Sequence, residues 1–228
     1  VRWLSGKGAD LEAVPALVRM YLGLASRRHL TAQVLAEHIA EGVDVAHFQV
    51  TGLGAYALMA GEVGLHEVRR RTKVRVRRGA SETEQEDVAV VSVDVSPLEG
   101  APDRRFVSRL TLRATPLRPA ESRLLEGAAW QVEAFDAVSV RSLEGRFGGT
   151  RKAALESAAV LLWAWVGGSG PGSGPEKSGP VERVRVYELG QGACVRDLRT
   201  GRSTTRVAHV FRGQLELLAR RSPDVGGF

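Results

Sequence analysis

Cysteine is almost absent from this 228-residue chain: Cys194 stands alone, so no internal disulfide can form. A reducing compartment, the cytoplasm, is the expected setting. Long hydrophobic runs are missing too. The longest, residues 153–166, is interrupted by Glu156 and Ser157 and falls short of the roughly 20 residues that a membrane span needs. The opening residues lack the charged, apolar and small-residue succession of a secretory signal. A soluble protein with no membrane role is therefore expected. The five histidines, His29, His38, His47, His66 and His209, have no ligand spacing with one another or with Cys194, which gives no support to a metal site. Ser5-Gly6-Lys7-Gly8 lacks the spacing of a phosphate-binding loop, and no serine or cysteine sits in a nucleophile elbow. The reading therefore includes neither a metal nor a small-molecule cofactor.

What is present is cationic. The net charge is +6 and the sequence pI about 10.1, compatible with a polyanionic partner, because lysines and arginines that neutralise phosphates release counterions. The distribution is more telling than the total. Arg69, Arg70, Arg71, Lys73, Arg75, Arg77 and Arg78 follow one another closely, and Glu82, Glu84, Glu86 and Asp87 come directly after. The basic arm of such a hairpin could grip RNA phosphates. Equally, the two arms could be antiparallel strands whose opposite charges meet across the ladder. The two readings are compatible.

With 43% apolar residues the chain can bury one sizeable core or two modest ones, and two packed units are expected. After a weak strand over residues 1–4, Asp10 can cap a helix whose Val14, Leu17, Val18, Tyr21, Leu22 and Ala25 share one face. Residues 43–50 and 55–59 read as a hairpin turning at Gly52 and Gly54, and residues 65–76 and 87–95 as two further strands. Pro97, Gly100 and Pro102 mark a boundary. Beyond it, residues 105–113, 129–135 and 137–141 read as strands, and residues 153–166 as a helix apolar on most sides and so buried, making a small β-β-α unit. Residues 167–180 hold six glycines and three prolines and should form a flexible linker. A strand at 181–187 and a helical stripe over 207–218 complete an α+β chain.

Several short strings resemble the bacterial class I peptide chain release factors. Ser5-Gly6-Lys7-Gly8-Ala9-Asp10 resembles the family's small-Gly-x-Gly-Gly-x-Glu opening; Arg19-Met20-Tyr21 matches its Arg-Met-Tyr. Thr51-Gly52-Leu53-Gly54-Ala55-Tyr56 and Gly64-Leu65-His66-Glu67-Val68 are similar to its Ser-Gly-x-Gly-x-Tyr turn and Gly-x-His-Arg-Val strand. Near the other end, Arg185-Val186-Tyr187-Glu188-Leu189-Gly190-Gln191 and Val195-Arg196-Asp197-Leu198-Arg199 resemble Arg-Thr-Tyr-Asn-Phe-Pro-Gln and Val-Thr-Asp-His-Arg. The resemblance implies a release-factor-like fold: a discontinuous mixed α/β codon-recognition superdomain from residues 1–97 plus 181–228, with an inserted catalytic-type domain at 98–168. The family's N-terminal helical domain has no counterpart in these residues.

The working motifs of that family are not here. No glycine pair, at Gly148-Gly149, Gly167-Gly168 or Gly226-Gly227, precedes glutamine, so the catalytic Gly-Gly-Gln is absent. Residues 115–131, its expected interval, carry two prolines and several bulky side chains. Gln131, Gly148 and Gly149 are the weak catalytic candidates. The position of the codon-reading tripeptide holds Thr72, Lys73 and Val74, and Gly79-Ala80-Ser81 offers no downstream histidine. Arg185 and Asp197 read as a buried pair rather than as RNA contacts, and Arg199 likewise reads as structural. The resemblance therefore implies a translation protein that binds the ribosome or another structured RNA without stop-codon-dependent hydrolysis of peptidyl-tRNA, a pseudoenzyme. The alternatives are an atypical release or rescue factor that hydrolyses peptidyl-tRNA with a non-standard loop, and a fold repurposed to bind a protein partner.

Overall fold

In the computed structural model the apolar stripe near the start folds as helix α1 (Ala13–Arg27), with Val14, Leu17, Val18, Tyr21, Leu24 and Ala25 buried on one side. The structure describes residues 2–7, 12–40, 43–75, 82–98, 100–118, 124–125, 127–166 and 181–219; side chains at 2–7, 38–40, 43–44, 73–75 and 82–84 are outside that description. The capping position expected at Asp10 and the linker at 167–180 both lie outside the described residues. Pro15 falls in the first turn of α1, where its missing N–H costs no bond.

Around α1 the chain builds strands β1 (Arg2–Lys7), β2 (Thr31–Ala40), β3 (Val43–Thr51), β4 (Gly64–Arg75) and β5 (Glu82–Val93), with a short helix α2 (Ala55–Ala60) before β4. A second run gives α3 (Arg104–Ser108), β6 (Leu110–Pro116), β7 (Ala129–Asp136), β8 (Arg141–Gly148) and α4 (Arg151–Val166). The chain ends with β9 (Arg183–Gly190), β10 (Cys194–Asp197), β11 (Ser203–Thr204), α5 (Val207–Phe211) and a 3-10 turn at Leu215–Leu218. The strands run in the order β11-β10-β9-β4-β5-β1-β3-β2-β8-β7-β6. Strand β9 returns from far along the sequence to lie parallel to β4, whereas the other pairings are antiparallel. Among the described residues the only ladder between the two runs of strands is short: Ala36 opposite Phe147 and Glu37 opposite Arg146.

Two apolar clusters follow this layout. The larger joins α1 to Ala46, Val68, Ala89, Val91 and Val93, and to Tyr187, Val195, Val210 and Leu218 from the end of the chain. The smaller packs Phe106, Val132, Ala134 and Phe147 against Ala154, Ala158 and Leu162 of α4, with Ala36 of β2 at its border. Among the described residues no helix is long and apolar enough to cross a membrane.

Three expected elements differ, and strand β2 is an addition to them. Residues 55–59 are helix rather than strand: Ala-Tyr-Ala-Leu-Met-Ala is rich in helix formers, and Gly54 enters it at φ 79°. The true partner of β3 is β2, which a bulge between Val34 and Ala36 conceals by breaking the two-residue alternation. At 105–113 the first half is α3, capped by Asp103, whose carboxylate accepts the Phe106 N–H at 2.7 Å. Residues 137–140 form a turn in which Asp136 accepts the Val138 and Ser139 N–H groups, and the strand begins at Arg141. The second run thus holds three strands and two helices where three strands and one helix were expected. Helix α4 buries one face only, through Ala154, Ala158, Ala159 and Leu162. Trp163 meets Phe106 edge-on at 4.9 Å, and Arg141 lies over Trp165.

The stripe over 207–218 is broken at Gly213, where φ is +85° and a Cβ would stand 2.2 Å from the Leu24 nitrogen of α1. Opposite it, a Cβ on Gly23 would lie 2.9 Å from the Arg212 carbonyl oxygen. The two backbones meet where neither can carry a side chain. Gly213→Ala is expected to lower the urea-unfolding free energy by about 2–4 kcal/mol. Gly201→Ala, also at positive φ but with open space around it, should lose only about 1 kcal/mol. Equal losses would remove the close approach as the cause.

Candidate nucleic-acid interface

The basic run lies on β4, and its register with β5 is continuous from Gly64 opposite Val93 to Arg75 opposite Glu82. Arg70 faces Asp87, Arg71 faces Glu86, Lys73 faces Glu84 and Arg75 faces Glu82. The neighbours stop short of this hairpin's end: β9 accompanies β4 only as far as Arg71, and β1 accompanies β5 only at Val88 and beyond. Among the described residues, 72–75 and 82–86 therefore form a two-stranded ribbon without flanking strands. Arg71 and Thr72 are exposed, and Arg69 and Arg70 half-buried. The Arg71 Nε donates to Glu86 at 3.4 Å. Arg69 donates to Glu67, which is itself buried and also pairs with Arg183 at 3.0 Å. Thr72, Lys73 and Val74, the tripeptide position, belong to this ladder rather than to a loop. Arg77 and Arg78 lie outside the described residues.

The inward side of the same strand carries a polar cluster inside the larger core. Arg185 of β9, 3% exposed, donates through Nη1 and Nη2 to the two carboxylate oxygens of Glu62 at 2.7 and 3.1 Å, and through Nη2 to Asp197 at 2.9 Å. Asp197 in turn accepts the backbone N–H groups of Arg199 and Thr200. His66 is fully buried. Its Nε2 lies 2.9 Å from the Glu62 carbonyl oxygen, which can only accept, so that nitrogen carries the proton and Nδ1 accepts from the Tyr187 hydroxyl at 3.2 Å. Tyr21 of α1 closes the cluster by donating to Glu62 at 3.2 Å. Arg199 clamps the α2–β4 turn from outside, donating to the carbonyls of Gly61 at 2.6 Å and Val63 at 2.7 Å. The buried pair expected of Arg185 and Asp197 and the structural role expected of Arg199 are thus both present. Glu62 was missed; its only sequence signal is an acid placed between two apolar segments.

The catalytic candidates stand apart from this cluster. Gln131 lies within β7, opposite Thr115 and Arg146, and its side-chain amide donates to Glu144 at 2.9 Å. Gly148 ends β8, where a Cβ would touch Leu125. Gly149, at φ +90°, donates its N–H to Ala128 at 2.8 Å and accepts from the Trp130 indole at 3.0 Å. Thr150 then accepts the Ala153 N–H at the start of α4. The ladder of β6 and β7 runs on to Pro116 opposite Trp130. A cleft of about 670 Å3 lies beside these glycines, lined by residues that include Leu22, Gln33, Gln49, Leu124, Glu156 and Ser157. The backbone N–H of Leu124 is taken by Glu37 at 3.0 Å, so the N–H groups of Leu124 and Gly149 are both engaged internally. Among the described residues no group of three or more His, Cys, Asp or Glu side chains could hold a metal ion.

Burial pushes the His66 imidazolium down to about 4, further than the Glu62 carbonyl and carboxylate restore it, and Arg185 adds to the lowering. The sign follows from proton uptake. Between about pH 6.5 and pH 4 the unfolded chain protonates this residue and the folded chain does not, so stability falls as pH falls through that window. The loss should be on the order of 3 kcal/mol at completion. Urea midpoints measured across it should decline in the native protein and stay flatter in His66→Gln. Parallel declines would assign the effect to other groups.

Residues 7–81 match a family model described as the PCRF domain. No curated protein matches the chain. Among solved structures, RF2 of Thermus thermophilus superposes with a TM-score of 0.59 at 21% identity, covering 94% of this chain and 64% of that one. The chain thus spans less than two thirds of the length of that structure, whose fold it shares. The chain thus carries a match to the PCRF domain over residues 7–81 and shares the fold of RF2 along nearly all of its length.

Proposed function

We propose that this protein binds the ribosome or a structured ribosomal RNA in the cytoplasm without catalysing stop-codon-dependent hydrolysis of peptidyl-tRNA. In this reading residues 1–97 plus 181–228 form the RNA-facing unit. Residues 98–168 are a degenerate catalytic-type unit, and residues 167–180 link it back. The observation that carries the reading is the same at both positions where the family's working motifs would lie. Thr72-Lys73-Val74 and the ends of the 115–131 interval are ordinary ladder residues, while the core around Arg185 is intact. Phosphate contact falls to Arg69, Arg70, Arg71, Lys73 and Arg75, with Arg77 and Arg78 continuing the run. Such contacts position a protein on RNA without reading sequence.

Hydrolysis would need a free backbone donor near the developing oxyanion. The Leu124 and Gly149 N–H groups beside the shortened loop are already bonded. This favours binding over an atypical release factor using Gln131, Gly148 or Gly149.

Two measurements test the proposal together. Co-sedimentation with ribosomes should be strong at about 50 mM salt and fall at least tenfold by about 200 mM, as counterion release requires. Peptide release from programmed ribosomes should stay at background. No ribosome association at the lower salt would overturn the proposal. Peptide release that is lost in Gln131→Ala would favour the hydrolase instead, and a partner surviving high salt and nuclease would point to a protein.

A further inference from the structure

The hairpin that carries the cations also carries nearly their equal in acids, placed directly opposite. Of the five cations on β4, Arg69, Arg70, Arg71, Lys73 and Arg75, all but Arg69 face a carboxylate residue on β5. Arg69 instead donates to Glu67 on its own strand. Among the described residues neither β9 nor β1 flanks the hairpin beyond Arg71, and Arg71, Thr72, Gln85 and Glu86 are exposed there. Such a ribbon is marginal on its own, and cross-strand pairs of opposite charge are what its sequence supplies to hold it. A run of acids at this spacing presents the cations with carboxylates where an RNA backbone would present phosphates.

We infer that Glu82, Glu84, Glu86 and Asp87 are specificity-determining residues of the RNA surface: they shield the β4 cations and yield only to a polyanion of high charge density. This rests on the RNA-binding reading above and says what that surface selects. A phosphate must compete with the carboxylate residue that stands opposite the same cation in the register, as Glu86 does in accepting from Arg71 at 3.4 Å, so each contact gains only the difference between the two. Isolated phosphates and flexible single strands gain little from such an exchange. A folded RNA, which crowds phosphates from several strands against the ribbon, recovers the loss many times at once. The acids thereby reduce indiscriminate binding that a chain of net charge +6 would otherwise show.

The test compares three proteins by fluorescence anisotropy with a labelled RNA stem-loop and a labelled oligouridine. The first is the native chain; the second is Glu82→Gln/Glu84→Gln/Glu86→Gln. The third, Glu133→Gln/Glu144→Gln/Glu156→Gln, makes the same change in net charge at exposed positions elsewhere. The hairpin variant should bind oligouridine about tenfold tighter than the native chain, with a salt slope steeper by roughly 2, as three newly available cations imply for a single strand. Its preference for the stem-loop should shrink accordingly, and the control should stay within about twofold of native. A hairpin variant no different from the control overturns the shielding while leaving the RNA reading intact. Failure of all three to bind either RNA overturns both. Urea unfolding verifies that the variants are folded, and Glu84→Thr/Glu86→Thr, which favours strand, provides a second route to the same comparison.

Discussion

Arg185 is held by two carboxylates, Glu62 and Asp197, all three of them buried. Its partners come from parts of the chain more than a hundred residues apart: Glu62 from the turn before β4, Asp197 from the end of β10. Taking such charges out of water costs several kcal/mol per ion, and only near-complete hydrogen bonding offsets it. That requirement fixes geometry. The bidentate contact to Glu62 sets the depth of β9 against the α2–β4 turn, and the contact to Asp197 sets the β9–β10 pairing. His66 and Tyr187 fill the space between and satisfy one another. The parallel alignment of β9 on β4 follows from this cluster as much as from the ladder itself.

The consequence reaches the surface because β4 has two sides. Inward it presents His66 and Val68, both buried; the half-buried Arg69 and exposed Arg71 alternate with them on the other face. Locking β4 from within holds the outward residues in a fixed register with β5, cation opposite acid. The charged hairpin therefore has a stable base. The clamp by Arg199 on the carbonyls of Gly61 and Val63 reinforces that base from outside the core.

Much of this was legible in the sequence where one periodicity governed. The stripe of α1, the strands β4 and β5 and the opposed charges of the hairpin follow from spacing alone, and Arg185 and Asp197 were readable as a pair. The exceptions share a cause, which is local chemistry overriding periodicity. A bulge hid β2, a capping aspartate turned the start of an expected strand into α3, and Asp136 organised a turn where another strand was expected. Glu62 could not be found because nothing marks an acid as buried until its partner arrives from the far end of the chain. The tripeptide position was legible by counting from His66, but its place inside a ladder was not.

The central claim is that the buried Arg185 cluster makes the first and last parts of the chain one cooperative body. Native-state hydrogen exchange tests it directly. The amides of α1, β4, β9 and β10 should open together, with one free energy equal to that of global unfolding, and should lose protection together when Arg185 is replaced by methionine. Protection of residues 183–197 that is far lower than that of α1 and β4 in the native protein would contradict it.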